Sequence, residues 1–207
     1  MKIKKIIPLF IAGLFSLSVV QAQKGATKLD LSYNVALPTG DFKNTVNDAS
    51  YRGFQASVLY GINDKLSVGL GTGFQDFYQK YPRRVYKLSD GSDVSAVVTN
   101  SIQTVPVLAT AKYSFTPDAA VQPYAALGLG GNLVTYNQLL GEFGDQQSKF
   151  GFAARPEAGV YVPFKKGGEA GFTLGASYNL MPFKQDNFTN LNNLGIHAGI
   201  SLPLRNK

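Results

Sequence analysis

The side chains of this sequence that could perform acid–base chemistry are few. His197 is the single histidine, and there is no cysteine. Asp30, Lys112, Arg155 and Glu157 are scattered charges in segments that are otherwise apolar or glycine-rich. A catalytic histidine needs a nucleophile or a carboxylate within hydrogen-bond reach. His197 is therefore a candidate base only if the fold brings it to such a group, and a packing role is the favoured interpretation.

Other chemistry-bearing patterns are excluded by residue type or context. A single histidine without cysteine argues against a transition-metal site and against disulfides or thiol nucleophiles. The glycine runs at 69–73 and 128–131 are not followed by the helix that a dinucleotide-binding fingerprint requires. Neither a P-loop nor a Gly-x-Ser-x-Gly nucleophile motif occurs. The sequence therefore predicts no catalytic residue, no cofactor and no metal.

The elements that carry these side chains have a period of two residues. In the segment 66–74, apolar residues or threonine alternate with glycine and serine, as they do in a β-strand with one apolar face. Further segments repeat the pattern and are separated by turn residues. The predicted strands are 29–37, 54–60, 66–74, 105–115, 125–129, 150–162, 172–180 and 194–204.

Charge placement indicates which face of these strands meets lipid. The apolar phase holds no Asp, Glu, Lys or Arg, whereas the opposite phase is rich in glycine. An Arg or Lys that faces lipid at the bilayer midplane costs about 2 to 4 kcal/mol, and small inward residues allow a narrow barrel to close. The apolar phase is thus predicted to face outward.

Five polar side chains share the inward phase and are predicted to form a network in the lumen: Asp30, Lys112, Arg155, Glu157 and His197. One interpretation is a polar gate. The favoured one is an ion-pair network that neutralises buried charge. An eight-stranded barrel is just wide enough for side chains to fill it, so the pattern does not imply an open pore.

The connections between the predicted strands alternate between long and short, with long ones after the first, third, fifth and seventh strands. Outer-membrane barrels have short periplasmic turns and long extracellular loops, which predicts that both termini are periplasmic. Pro106 and Pro156 fall inside predicted strands. Each removes a ladder hydrogen bond, and a bulge there would shift the register beyond it.

The first 22 residues have the features of a secretory signal peptide. Lys2, Lys4 and Lys5 precede an uncharged apolar run that ends at Val20-Gln21-Ala22, and such a segment is cleaved on export. Without residues 1–22, which contain no acidic residue, the formal charge falls from +7 to +4. This leaves residues 23–207 as the predicted barrel domain and gives little support to nucleic-acid binding.

Three segments resemble one family of membrane proteins. They are 37–42 (LPTGDF), 105–107 (VPV) and 122–130 (QPYAALGLG). With the strand pattern, they are similar to the small porin-like outer-membrane β-barrel family, which includes the OmpA-type and OmpX-type eight-stranded barrels. The resemblance implies an all-β, antiparallel up-and-down transmembrane barrel of eight strands in a Gram-negative outer membrane. It also implies a monomer inserted by the barrel-assembly machinery.

The last strand resembles the assembly signal of that family. A polar residue, a glycine two residues later and alternating hydrophobic residues correspond to His197, Gly199, Leu202 and Leu204. Family members commonly end on an aromatic residue, whereas this chain continues from Leu204 into Arg205-Asn206-Lys207.

The longest predicted loop contains a basic and aromatic cluster that includes Lys80, Arg83, Arg84 and Lys87. Such side chains could contact the phosphates of outer-membrane lipid, including lipopolysaccharide, or simply anchor a solvated loop at the interface. The leading functional hypothesis is a non-enzymatic protein that is structural, or adhesive through its extracellular loops. The alternatives are a narrow channel for small or hydrophobic solutes and a membrane-embedded lipid-modifying enzyme.

Overall fold

The computed structural model describes residues 25–87, 93–140, 143–166, 168–185 and 188–204. Within these ranges, eight antiparallel strands form a closed barrel, which confirms the predicted fold class. The predicted signal peptide lies outside the described residues. No helix in the described part of the chain is long and apolar enough to cross a bilayer.

The barrel strands follow the order β1-β2-β3-β6-β7-β8-β9-β12 and close between β12 and β1. Two small two-stranded sheets, β4–β5 and β10–β11, are inserted in the connections, and one helical turn, α1, follows β1. The strand bounds are β1 Thr27–Pro38, β2 Ser50–Gly61, β3 Leu66–Lys80, β4 Arg84–Lys87, β5 Asp93–Ala96, β6 Val98–Ser114, β7 Gln122–Leu140, β8 Phe143–Pro163, β9 Gly171–Asn179, β10 Pro182–Gln185, β11 Phe188–Asn190 and β12 Asn193–Leu204; α1 is Phe42–Thr45.

Closure joins the first and last strands in one unbroken register. Thr27 of β1 pairs with Leu204 of β12, and pairing continues to Pro38 with Asn193. The start of β1 and the end of β12 therefore lie at the same end of the barrel as the connections 62–65, 115–121 and 164–170, which we call the turn end. The opposite end is the hairpin end.

Over most of the barrel, the apolar residues lie on the outer face and the small or polar residues on the inner face, as predicted. Outward residues such as Leu70 and Val107 are each 57% exposed, whereas the inward His197 is 3% exposed. The predicted inward glycines allow close approach. A Cβ on Gly69 would collide with the backbone of Val58, and one on Gly199 would collide with the backbone of Leu31.

Four strands are longer than predicted by at least six residues at the hairpin end. β3, β6, β7 and β8 extend to Lys80, Val98, Leu140 and Phe143, respectively. The long loop predicted between the fifth and sixth strands is therefore wrong, because Leu140 pairs directly with Phe143 in a continuous hairpin. The two-residue alternation continues beyond the predicted strand ends, but there the polar residues point outward and the apolar residues inward. A search for a single apolar phase therefore misses these extensions.

The reversal occurs along one row of outward polar residues that are register partners on adjacent strands, here called the polar row. Asp76 pairs with Gln103, Gln103 with Thr135, and Thr135 with Ser148. Next to the row, on the turn-end side, the outward residues of β7 and β8 are Leu133 and Phe150, which are exposed and pair with each other.

Beyond the polar row, apolar side chains point inward and close the hairpin end of the barrel. Phe42 of α1 packs edge-on against Phe77 of β3, with ring centroids 4.9 Å apart. The α1 segment is held over the opening by the Tyr81 hydroxyl, which donates to the Thr45 carbonyl at 2.7 Å. We call this buried set the mouth cluster; its members include Phe42, Val46, Phe77, Ile102, Val134, Met181, Phe183 and Leu191.

The two strand prolines are accommodated without a bulge. Pro106 pairs with Asn132 and Pro156 with Leu127, and the β6–β7 and β7–β8 registers run unshifted through both positions. The carbonyl of Pro106 accepts a hydrogen bond from the Thr72 hydroxyl at 2.9 Å. The β8–β9 ladder is interrupted at Pro156, with Glu157 paired to Ser177 on one side and Ala154 paired to Leu180 in the same register on the other.

Candidate functional site

A polar cavity of about 50 Å³ lies inside the barrel, and all five residues of the predicted lumen network line it. Asp30 comes from β1, Lys112 from β6, Arg155 and Glu157 from β8, and His197 from β12. A water molecule needs roughly 10 to 15 Å³ of such volume, so the cavity has room for a few waters and not for an organic solute.

The first contact in the cavity is an ion pair between β1 and β6. Lys112 Nζ lies 3.0 Å from Asp30 Oδ2, and the two side chains are 14% and 13% exposed. The same ammonium lies 4.2 Å from the ring centroid of Tyr124, in the geometry of a cation–π contact.

The second contact is a triad formed by His197, Glu157 and Tyr124. His197 Nε2 lies 3.3 Å from Glu157 Oε1, and the Tyr124 hydroxyl donates to that oxygen at 2.9 Å. The hydroxyl also lies 3.2 Å from His197 Nε2. Facing glycines make room for the rings: a Cβ on Gly175 would approach His197 Nε2 to 2.7 Å, and one on Gly159 would approach the Tyr124 ring to 2.8 Å.

Arg155 crosses the lumen on the hairpin side of this triad. Its Nε donates to Asn179 Oδ1 at 2.8 Å and its Nη1 to Gln55 Oε1 at 3.3 Å. Asn179 in turn donates to Asn193 Oδ1 at 2.8 Å. Among the described residues, no carboxylate lies within salt-bridge distance of Arg155. This amide belt, formed by Gln55, Arg155, Asn179 and Asn193, separates the cavity from a smaller one of about 10 Å³ beneath the mouth cluster.

The chemistry of the network is that of charge compensation. Two cations and two carboxylates are distributed over an ion pair, a triad and an amide belt, as the ion-pair interpretation requires. The buried His197 contacts a carboxylate and a phenol inside the lumen, so it cannot touch a membrane lipid. In the described part of the chain, no group of three or more metal-ligating side chains occurs. Whether the network also acts as a gate stays a prediction.

The lumen is open at the turn end. A depression of about 860 Å³ lies there, lined by short-turn and strand-end residues that include Lys28, Lys166 and Glu169. Tyr161 narrows it, because its hydroxyl donates to the Glu169 carbonyl at 2.9 Å and its ring lies 5.2 Å from Lys28 Nζ. Seen from this end, the lumen passes from the open depression to the small polar cavity and then to the amide belt.

The predicted lipid-contact residues are only partly brought together. Lys80 ends β3 and is exposed, and Arg83 is exposed just beyond it. Arg84 and Lys87 are the first and last residues of β4, and their side chains lie outside the described part of the structure. Arg52, which the prediction missed, lies nearby: its Nη1 is 3.2 Å from Asp76 Oδ2. Arg52 lies two residues from Phe54 in the same outward phase of β2, and this spacing could have identified it from the sequence.

Sequence comparison agrees with this geometry. The model of the outer membrane protein beta-barrel domain matches residues 8–202. The chain belongs to this family. That membership and the observed barrel confirm the resemblance to the small outer-membrane β-barrels and the porin-like fold. No curated protein sequence matches the chain significantly.

Two solved structures illustrate the fold that the chain shares. The chain is 17% identical to the Neisserial surface protein A, covering 87% of this chain and 97% of that one, with a TM-score of 0.52. It is 15% identical to the outer membrane protein OprG from Pseudomonas aeruginosa, covering 90% and 100%, with a TM-score of 0.50. At these identities the likeness concerns the fold and not the ligand.

The residues of the predicted assembly signal lie in β12 of this family barrel. Leu202 and Leu204 point outward and pair with Leu29 and Thr27 of β1, so they lie on the closing strand near the turn end. Gly199 points inward against Ser32. The tail 205–207 lies outside the described residues. Recognition of this strand by the barrel-assembly machinery stays a prediction.

Proposed function

We propose that this outer-membrane barrel is a non-enzymatic surface protein that binds external partners through the half that projects beyond the polar row. Both barrel termini and the connections 62–65, 115–121 and 164–170 lie at the turn end, whereas β3, β6, β7 and β8 project at the hairpin end. Since the periplasmic connections of outer-membrane barrels are short and the extracellular segments extend farther, we infer that the hairpin end faces the exterior. A monomer suffices for this function, because the barrel closes on itself.

The closure of the lumen at its hairpin end favours binding over transport. The polar cavity, the amide belt and the mouth cluster follow one another along the barrel, and the cavities on the two sides of the amide belt measure only about 50 and 10 Å³. A solute would have to displace Arg155 from two amide partners and then the buried rings of Phe42 and Phe77.

The observation that carries the proposal is the projecting sheet formed by β3, β6, β7 and β8. Its outer face is polar from the row Asp76, Gln103, Thr135 and Ser148 onward, and its inner face packs on the mouth cluster. The buried inner face stabilises this sheet without a membrane around it. The sheet carries the β4–β5 and β7–β8 hairpins beyond the polar row.

Trimming these hairpins tests the proposal. Because Lys80 pairs with Thr99 and Asn137 with Gln146, residues 82–97 or 138–145 can each be replaced by Asn-Gly, a favoured two-residue hairpin turn. Cells that display each protein are tested for binding to immobilised extracellular-matrix proteins and sulfated polysaccharides. We expect one trimmed protein or both to bind no better than cells that lack the barrel.

The control keeps both hairpins and changes the opposite end. Lys165→Gln with Lys166→Gln removes exposed charge from the turn end and should leave binding unchanged. Heat-modifiable migration on a gel shows that each variant still forms a closed barrel. Binding by both trimmed proteins at the level of the intact chain, or no binding by the intact chain to any coated surface, would contradict the adhesive function.

The large depression at the turn end favours one second candidate, a narrow channel. The depression of about 860 Å³ and the charged cavity both lie along the lumen, so a rearrangement of the residues between them, of the amide belt and of the mouth cluster would open a path. Conductance of the purified barrel in a planar bilayer distinguishes the two functions. We expect no unitary steps at any voltage, whereas reproducible steps that disappear on mutation of Arg155 would favour the channel.

A further inference from the structure

A mixed basic and aromatic surface lies on the outside of β2 and β3, at the upper limit of the apolar face. Phe54 and Phe74 are register partners, and their rings stack with centroids 6.1 Å apart. Aromatic residues are enriched at the membrane–water interface. The next outward residues, Arg52 and Asp76, lie about 7 Å farther along their strands, at the level of the lipid headgroups.

Asp76 fixes the position of Arg52. One carboxylate oxygen of Asp76 accepts a hydrogen bond from Ser101 Oγ at 2.8 Å, and the other lies 3.2 Å from Arg52 Nη1. The Arg52 guanidinium lies 5.1 Å from the ring centroid of Tyr78. The Asp76 side chain is 11% exposed and that of Arg52 is 63% exposed. Since a guanidinium has five N–H donors, Arg52 is held in place and still presents donors to an external anion.

The cationic surface continues beyond this pair. Asp76, Tyr78 and Lys80 alternate along β3 and so share its outward face. Lys80 and Arg83 are exposed, and together with Arg52 they provide three cations against the carboxylate of Asp76. Phe54 lies immediately below this pair, and the exposed Leu70 lies farther toward the turn end on β3; both offer apolar contact. A ligand that fits both parts has an anionic head and acyl chains.

We propose that this surface binds a phosphate group of a lipopolysaccharide-type glycolipid in the outer leaflet, with Arg52 donating hydrogen bonds to the phosphate. Lys80 adds charge, and acyl chains pack along Phe54, Phe74 and Leu70. Arginine binds phosphate through paired N–H donors that match its oxygens. This inference rests on the membrane position of the barrel and not on the proposed surface-binding function.

The test measures lipid occupancy directly. Purified barrel in neutral detergent is mixed with diphosphorylated lipid A, and bound lipid is counted by native mass spectrometry. We expect Arg52→Gln with Lys80→Gln to lower the occupancy about tenfold, corresponding to about 1.4 kcal/mol. Lys80→Gln alone, which preserves the Arg52–Asp76 pair, should give a smaller loss.

The controls separate this site from general charge attraction. Lys165→Gln with Lys166→Gln removes the same charge at the turn end and should leave lipid A occupancy unchanged. Dephosphorylated lipid A should bind weakly, and inorganic phosphate at millimolar concentration should not displace the lipid. Equal losses in the two double variants, equal binding of the dephosphorylated lipid, or displacement by inorganic phosphate would overturn the proposal. Heat-modifiable migration confirms that each variant is folded.

Discussion

Strands β3, β6, β7 and β8 run through both the membrane-facing part of the barrel and the part beyond the polar row. Their apolar side chains point outward in the first part and inward in the second. In β3, Leu70 points outward and Gly71 inward, but six residues later Asp76 points outward and Phe77 inward. In β7, the outward series changes from Leu133 to Thr135, and the inward Val134 is buried. At the polar row between the two parts, the outer face changes from apolar to polar, as expected where the external solvent changes from lipid to water.

This difference shows that the two parts are stabilised by different forces. Toward the turn end the lumen is packed with small residues and hydrogen-bonded charges, while lipid solvates the apolar surface. Beyond the row the mouth cluster excludes water from apolar side chains, as the core of a soluble protein does. The same kind of substitution should therefore have different consequences in the two parts.

The largest effect is expected in the mouth cluster. Phe77→Ala removes a ring that is 0% exposed and packs against Phe42, and should lower the unfolding free energy by about 3 to 5 kcal/mol. The matched variant Phe152→Ala removes an outward ring that is 55% exposed and should cost less than about 2 kcal/mol. Urea unfolding in lipid vesicles measures both. Equal losses would show that the two parts do not differ in packing.

A charge placed on the outer face tests the position of the polar row. Leu129→Arg puts a guanidinium in the middle of the outward apolar series of β7 and should cost about 2 to 4 kcal/mol. Thr135→Arg, on the same strand and face but in the polar row, should change stability by less than about 0.5 kcal/mol. The unfolding free energies of the two variants give the comparison. A large cost at Thr135 would place the hydrocarbon boundary farther toward the hairpin end.

Glycine substitutions test the packing of the lumen. A Cβ on Gly175 would lie 2.7 Å from His197 Nε2 and 2.9 Å from the Ala158 carbonyl oxygen, which cannot move freely. Gly175→Ala should therefore destabilise the barrel by about 1 to 3 kcal/mol. Gly71→Ala, with its nearest contact at 3.2 Å on the Thr110 hydroxyl, should be close to neutral. Thermal unfolding followed by gel migration reports both; a neutral Gly175→Ala would mean that the triad can shift.

The smallest effects concern the two ion pairs, which a double-mutant cycle measures. The inner pair Asp30–Lys112 has side chains 13% and 14% exposed, and we expect a coupling energy of about 1 kcal/mol from Asp30→Asn and Lys112→Gln. The outer pair Arg52–Asp76 includes a side chain that is 63% exposed. Solvent screening should hold its coupling below about 0.5 kcal/mol. A stronger outer pair would contradict the proposed difference in environment.

The inward direction of the lumen residues follows from strand phase alone. Asp30, Lys112, Arg155, Glu157 and His197 share the inward phase of their strands, and the structure places all five around one cavity. Their pairing could not be predicted, because it depends on which strands face each other across the lumen. Tyr124 and the amides Gln55, Asn179 and Asn193 were missed for the same reason.

By itself, the sequence determined the antiparallel barrel, its eight strands and the direction of the apolar face on the turn-end side of the polar row. A period of two residues and the distribution of charge are local properties of the chain, so they can be read without knowing the contacts. Only the tertiary structure decided where each strand ends. The inverted alternation can be recognised as a continuing strand only when the sheet is known to extend beyond the membrane. It also decided that α1 and β10 cover the opening, because the mouth cluster joins residues as distant in the chain as Phe42 and Phe183.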